Sequence, residues 1–310
     1  MAHRTHGLAM LPLYLQRIEA GLIKPVGDIA VVNETPATLS WQAHRLPGPF
    51  VMNEALTVLF EKLRTSPVVT ATIANCSHIG SLQTYLHAVG ERKLLGLMMV
   101  TDPGAVSVAP FGAAEAVLTS NPIAAAIPTQ GDPILVDQST SLVSNARVQS
   151  AAPGELLPGE WLLDAQGRPS RDPSVLLQSP SGTLMPLGGS DFGYQGFGFM
   201  LMCEAFALAL SGHGRREPKT RGAQGVFLQL IDPAAFAGAE ETLAETSYIA
   251  DRCVGARPAE GSAGVRLPGQ RALSEMRRQL RDGLEISPPV WERLLAISTR
   301  FGVPPPSERE

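Results

Sequence analysis

Histidine moves protons readily near neutral pH because its ordinary pKa lies near 6.5. Of the six histidines in this 310-residue chain, His78 has the most telling surroundings. It stands in Asn75-Cys76-Ser77-His78-Ile79-Gly80, after the β-branched apolar run Val68 to Ala74 and before Leu82, Tyr85, Leu86 and Val89, which recur at helical spacing. That pattern predicts a buried strand giving way to a helix, and α/β enzymes hold reactive groups at such strand ends. A histidine there can act as general acid and base, or it can cap the helix and satisfy a buried hydrogen bond.

Other residues offer weaker chemistry. Cys76 lies beside His78, but residues at i and i+2 on a strand end point differently and no thiol-enzyme signature surrounds them. His3 and His6 could share a helix face and bind a metal, yet no third ligand and no HExxH follows, so no metal is expected. His44, His87 and His213 read as surface residues. The glycine-rich run Gly188 to Gly198 could bring backbone amides to an anion at a helix N-terminus, or serve close packing of that helix. It matches neither GxGxxG after a strand nor GxxxxGK[ST].

The elements that must position these groups follow from periodicity. Leu11 to Ala20 reads as a helix closed by Gly21, and Ile29 to Val32 and Thr38 to Trp41 read as strands around the turn Asn33 to Pro36. Asn53 is expected to cap a helix carrying Leu56, Leu59, Phe60 and Leu63, stopped by Pro67. The run Leu94 to Val100 reads as the second strand of a β-α-β crossover begun at Val68, which would place His78 at the carboxyl end of the first. Residues 101 to 133 and 153 to 186 are rich in turn formers and are expected to be largely irregular, with a short strand at Ile134 to Val136 between them. Phe197 to Leu210 reads as a buried helix capped by Gly212, and Val226 to Ile231 as a strand. Amphipathic helices are expected around Leu243 to Ile249, Leu273 to Leu280 and Val290 to Phe301, before a Pro-rich, disordered tail. No fixed-period repeat occurs.

Composition narrows the class. With 44% hydrophobic and 17% charged residues and a net charge of -4, the chain reads as an ordinary globular protein with no basic stripe for nucleic acid. Cys76, Cys203 and Cys253 are far apart and lack CxxC spacing, which points to a reducing, cytoplasmic compartment. The first residues lack the apolar core of a secretory signal, and Phe197 to Leu210 falls short of the roughly 18 to 20 apolar residues of a membrane span.

Taken in order, Thr5-His6-Gly7 with Leu11-Pro12-Leu13-Tyr14, Asn75 to Gly80, Ala109-Pro110-Phe111-Gly112, Ser120-Asn121-Pro122, Val136-Asp137-Gln138-Ser139-Thr140-Ser141, Leu157-Pro158-Gly159-Glu160-Trp161, Asp172-Pro173, Gly193-Tyr194-Gln195-Gly196-Phe197-Gly198 and Leu267-Pro268-Gly269-Gln270 resemble the malate/L-lactate dehydrogenase family. These are non-Rossmann NAD(P)-dependent oxidoreductases that also include ureidoglycolate, sulfolactate and diketogulonate enzymes and cyclic-imine reductases. The resemblance covers nearly the whole chain. It implies an α/β fold: a three-layer, mixed-sheet nicotinamide-binding domain over residues 67–234, with a helical substrate and dimerisation part built from both termini, 1–66 and 235–310. It further implies NAD or NADP as cofactor, a small-molecule substrate, and a homodimer with the site near the interface.

The same resemblance implies roles for single residues. His78 matches the acid/base histidine, and His6 and Tyr14 match positions lining the substrate pocket. Thr101, Asp102, Asp137, Gln138, Ser139, Gln195, Pro268, Gly269 and Gln270 fall where the family contacts its cofactor. Three departures stand out. Met10 replaces an arginine suited to gripping a substrate carboxylate, a contact methionine cannot make; Arg4, Arg45 and a partner-chain group are the candidates to compensate. Gln195 stands where the family carries lysine. The leading helical segment is also missing, as in a shortened protein or a truncated gene model. The expected reaction is hydride transfer between nicotinamide and a small 2-hydroxy acid or its 2-keto partner, with His78 exchanging the hydroxyl proton. Two other readings are a cyclic imino-acid reductase on the same fold and a non-catalytic paralogue.

Overall fold

Apolar, β-branched segments build the centre of the molecule. The computed structural model describes residues 6–217 and 221–305. After the helix α1 (Leu11–Glu19), strands β1 (Ala30–Glu34) and β2 (Thr38–Gln42) form a hairpin, followed by helix α2 (Gly48–Lys62), strand β3 (Val68–Cys76), helix α3 (Gln83–Glu91) and strand β4 (Leu95–Thr101). Strands β5 (Ile123–Ile127) and β6 (Ile134–Gln138), the short helix α4 (Asn145–Gln149), and the two-residue strands β7 (Leu162–Leu163), β8 (Pro169–Ser170) and β9 (Thr183–Leu184) lead to helix α5 (Gly189–Cys203). Strand β10 (Gln224–Ile231) and helices α6 (Ala239–Val254), α7 (Gln270–Asp282) and α8 (Pro288–Phe301) complete it.

The main sheet has the order β1-β2-β3-β10-β4-β5-β6 and is mixed. Strand β10 pairs antiparallel with both β3 and β4, β2 runs parallel to β3, and β5 is antiparallel to its two neighbours. Helices α2 and α3 lie against β3 to β6, and α5 with its continuation contacts β3, β4 and β10, so the sheet is the middle of three layers. Its core includes Leu59, Ile73, Leu86, Met98, Leu135 and Leu228, all 2% exposed or less.

The expected crossover from β3 through α3 to β4 exists and the two strands are parallel, but they are not neighbours. Strand β10 lies between them, and its Val226, Leu228 and Leu230 are fully buried. A pairing between strands more than a hundred residues apart leaves no local trace in the chain.

Several other expectations are corrected. Helix α2 begins at Gly48, directly after Pro47, so Asn53 lies exposed inside it and is not a cap. The stretch 101–133 contains β5, whose Ala124 and Ala126 are buried on the face against which α3 packs. The run Gly188 to Gly198 is helical from Gly189. Two of its glycines serve packing: a Cβ on Gly196 would stand 2.4 Å from the Leu187 nitrogen, and one on Gly193 would stand 2.8 Å from the Phe111 ring.

The segment Phe197 to Leu210 is only half buried. It widens into a π-helix over Glu204–Ala209, and Phe199, Leu201, Met202, Phe206 and Leu210 are exposed. His213 is buried at 8% exposure, with Nε2 3.0 Å from the Ala223 carbonyl, so it is not a surface residue. His44 is exposed, and half-buried His87 lies 3.7 Å from Glu91. Residues 306–310 of the Pro-rich tail, together with His3 and Arg4, lie outside the described residues. No helix among the described residues is long and apolar enough to cross a membrane.

Candidate active site

His78 follows β3 by two residues, at the carboxyl edge of the sheet. The chain can turn there because Asn75 adopts a positive φ of 54° and Gly80 one of 78°. Both neighbours of His78 are pinned. The Ser77 hydroxyl accepts the Gly48 amide at 2.8 Å, the Ile79 amide donates to Gln224 Oε1 at 3.2 Å, and the Tyr85 hydroxyl donates to the Ile79 carbonyl at 2.5 Å. Gly48 is required here, since a Cβ would stand 2.5 Å from the His78 carbonyl oxygen.

The imidazole meets α1. Tyr14 Oη lies 2.8 Å from His78 Nδ1, and the His6 ring stacks on it with centroids 5.6 Å apart and planes 28° from parallel. His6, Tyr14 and His78 thus lie together. Burial pulls the His78 pKa down to about 4, with the His6 and Arg17 charges adding to the effect, so the ring is neutral at pH 7. Burial also pushes the Tyr14 phenol up to about 12, keeping it protonated. Cys76 is fully buried and its thiol is likewise pushed up to about 12 by desolvation, which removes it as a nucleophile.

Strand directions put further polar groups on the same edge. Cys76 pairs with Gln224 and Thr101 with Gly225, while Gln138 pairs with Ile123, so the carboxyl ends of β3, β4 and β6 and the amino end of β10 align. From β3 to β6 is four strand spacings, about 19 Å. Asp102 accepts the Gly104 and Gly222 amides at 2.9 and 2.6 Å, closing the corner between β4 and β10. Thr101 is 1% exposed, and its hydroxyl is held by Asn121 and Glu204.

Glu204, in the π-helix, receives two bonds from Arg215, at 2.8 and 2.9 Å, while Arg215 also donates to the carbonyls of Pro103 and Ala105. This ion pair fixes the turn after β4. Neither residue was singled out by sequence reasoning, since partners in a π-helix and a loop share no spacing rule.

On β6, Asp137 caps α3 by accepting the Ser81 hydroxyl and the Gln83 amide, both at 3.0 Å. Ser139 donates to the Ser120 carbonyl, and Gln138 is exposed. Gln195 is exposed on α5. Pro268, Gly269 and Gln270 sit elsewhere: the Pro268 carbonyl accepts from Leu135, three residues back along β6, about 10 Å from Gln138. Pro268 and Gln270 line a separate cavity of about 280 Å³ with Asp132, Ile134, Ser247 and Asp251. Among the described residues no three His, Cys, Asp or Glu side chains gather as metal ligands.

A family model described as malate/L-lactate dehydrogenase matches residues 1–295. The chain belongs to the malate/L-lactate dehydrogenase family. It is 30% identical to the L-lactate dehydrogenase of Cupriavidus necator over 97% of this chain and 87% of that one. The solved malate dehydrogenase of Entamoeba histolytica superposes with a TM-score of 0.88 at 21% identity, over 98% of this chain and 88% of that one. The delta1-piperideine-2-carboxylate reductase of Pseudomonas syringae pvar. tomato gives 0.78 at 27% identity, over 94% and 87%. The chain is thus an oxidoreductase acting on CH–OH groups with a nicotinamide cofactor, and its mixed α/β sheet is that of the malate/L-lactate dehydrogenase fold.

Proposed function

We propose that the chain interconverts a small 2-hydroxy acid and its 2-oxo partner with NAD or NADP, using His78 as acid and base. The carrying observation is the Tyr14 contact at His78 Nδ1, which leaves Nε2 for substrate. On oxidation, His78 must accept a proton at Nε2, so Nδ1 carries the other and donates it to Tyr14 Oη. The low pKa keeps the free ring neutral and ready for that role. On reduction, the imidazolium donates the Nε2 proton to the carbonyl oxygen, and a carboxylate bound nearby favours that charged form.

The nicotinamide, when bound, takes or supplies the hydride at the substrate carbon. An extended edge of about 19 Å that carries Asp102, Asp137, Gln138 and Ser139 fits a dinucleotide. Asp102, Gln138 and Ser139 are the residues we assign to holding it, with Thr101 setting their register. Gln195, Asp137 and the Pro268 to Gln270 turn remain proposed contacts from the family pattern. His6 lines the substrate side through its stack on His78.

We also propose a cytoplasmic homodimer. The free thiols Cys76, Cys203 and Cys253 suit a reducing compartment. The apolar stripe on α5 suits a covered face. Packing of α8 on α1, with Arg300 2.6 Å from Glu19, supports a unit built from both termini beside a 67–234 nicotinamide domain.

His78→Gln is expected to lower turnover about a hundredfold to ten-thousandfold while leaving NAD(P)H binding intact; unchanged turnover in the folded variant rejects the assignment. The similarity to the piperideine-carboxylate reductase favours a second reading, reduction of a cyclic imino acid. Parallel assays with pyruvate, oxaloacetate and the piperideine and pyrroline carboxylates decide between them. A chain that binds neither NADH nor NADPH would be a non-catalytic paralogue.

A further inference from the structure

A 2-oxo acid and a cyclic imino acid both carry a carboxylate, and Met10 offers it nothing. Of the two arginines that are candidates by sequence position, Arg4 lies outside the described residues. Arg45 is committed, its Nε donating to the Leu22 carbonyl at 2.7 Å, which ties down the segment after α1.

Helix α1 carries another. Met10, Tyr14 and Arg17 are spaced i, i+4, i+7, on one helical face, and Tyr14 is bonded to His78. Side chains on a helix lean toward its N-terminus, so the Arg17 guanidinium leans to the turn that bears Tyr14. Its Nη1 stands 3.5 Å from where a Cβ on Gly222 would lie, so its head reaches the corner between β4 and β10. Gly222, at a positive φ of 88°, is bonded to Asp102 and lies two residues before Gln224, which holds the amide next to His78. Arg17 is half-buried, and no described carboxylate pairs with it. Its charge is felt at both Tyr14 and His78.

We propose that Arg17 is the substrate-carboxylate clamp of this protein, reaching from α1 to the place beside His78 that the Met10 position leaves without a cation. The proposal rests on the oxidoreductase reading of the site. It limits the substrate to small acids whose carboxylate is adjacent to the reacting carbon.

The test is oxalate binding to the full chain saturated with NADH or NADPH, followed by nicotinamide fluorescence, alongside 2-oxo acid kinetics. Arg17→Gln is expected to weaken oxalate tenfold to a hundredfold and to raise KM for the 2-oxo acid similarly, by the usual worth of a charged hydrogen-bonded pair. NAD(P)H affinity should stay within twofold. Arg17→Lys should fall between, since lysine keeps the charge but not the bidentate fork. Adding Met10→Arg to Arg17→Gln should restore oxalate binding, and Arg221→Gln, exposed in the neighbouring loop, should leave it unchanged.

Arg17→Gln that binds oxalate like the parent, or that loses oxalate and nucleotide together, overturns the clamp. So does loss on Arg221→Gln in its place. If the parent reduces 2-oxo acids and Arg17→Gln does so with the same KM, the clamp fails while the functional reading stands. If oxalate binding depends on Arg17 but only cyclic imino acids turn over, the clamp stands and the 2-oxo acid reading fails. A parent that neither binds oxalate nor turns over any of these acids removes both.

Discussion

The protonation of His78 couples the site to folding. In the folded chain its pKa is about 4, against an ordinary 6.5, because the ring is buried and faces His6 and Arg17, with Tyr14 on Nδ1 and the neutral Cys76 thiol nearby. Above pH 6.5 both states are neutral and His78 adds no pH dependence. Between 6.5 and 4 the unfolded chain takes up a proton that the folded one refuses, so stability falls as pH drops and levels off below about 4. The loss should reach roughly 3 kcal/mol. Melting curves at stepped pH check this: His78→Asn should flatten the slope between pH 6.5 and 4, and an identical slope in the variant would contradict it. His78 itself was legible in the chain, because a β-branched run, a histidine and a helical repeat are local patterns. Arg17 was legible in principle, sitting three residues after Tyr14, but only the contact at Gly222 shows where its head lies.

At the scale of elements, two helices are held where they are by contacts to the site loops. Helix α2 starts so close to the His78 loop that Gly48→Ala should cost about 1–3 kcal/mol, the usual range for overpacking, because backbone oxygens rather than flexible side chains stand in the way. Urea denaturation reads this, and activity should fall with it as the loop shifts. Helix α3 is capped from another strand by Asp137, so Asp137→Ala should destabilise the fold by about 1 kcal/mol through loss of the cap. No loss in a denaturation series would show that Ser81 or water satisfies the Gln83 amide equally well. The cap could not be seen beforehand, since no Ser, Thr, Asp or Asn with a local role precedes Gln83 at the right distance and the acceptor lies over fifty residues away. The glycines of α5 misled in the opposite way, resembling a loop because close approach to Leu187 and Phe111 demands the same residue as a turn.

For the molecule as a whole, the exposed stripe of Phe199, Met202, Phe206 and Leu210 recurs at three, four and four residues along α5 and its π-helical continuation. Phe199→Glu with Met202→Glu should convert a dimer in sedimentation velocity to a monomer, while a parent that sediments as a monomer would refute the dimer outright. That stripe was read from the chain as a buried helix: hydropathy registers that a face avoids water, without saying whether this chain or a second copy covers it. The sequence by itself determined the local units, from α1 through the strand-loop-helix around His78 to the amphipathic helices of the last third, because periodicity and turn chemistry act over a few residues. Only the tertiary structure decided that β10 divides β3 from β4, bringing Gln224 to Ile79 and Gly222 to Asp102 and Arg17. It also decided that α1 lays Tyr14 on His78. These contacts join segments 64 to 205 residues apart, and what selects them is the burial of shared faces, which no short stretch of sequence encodes.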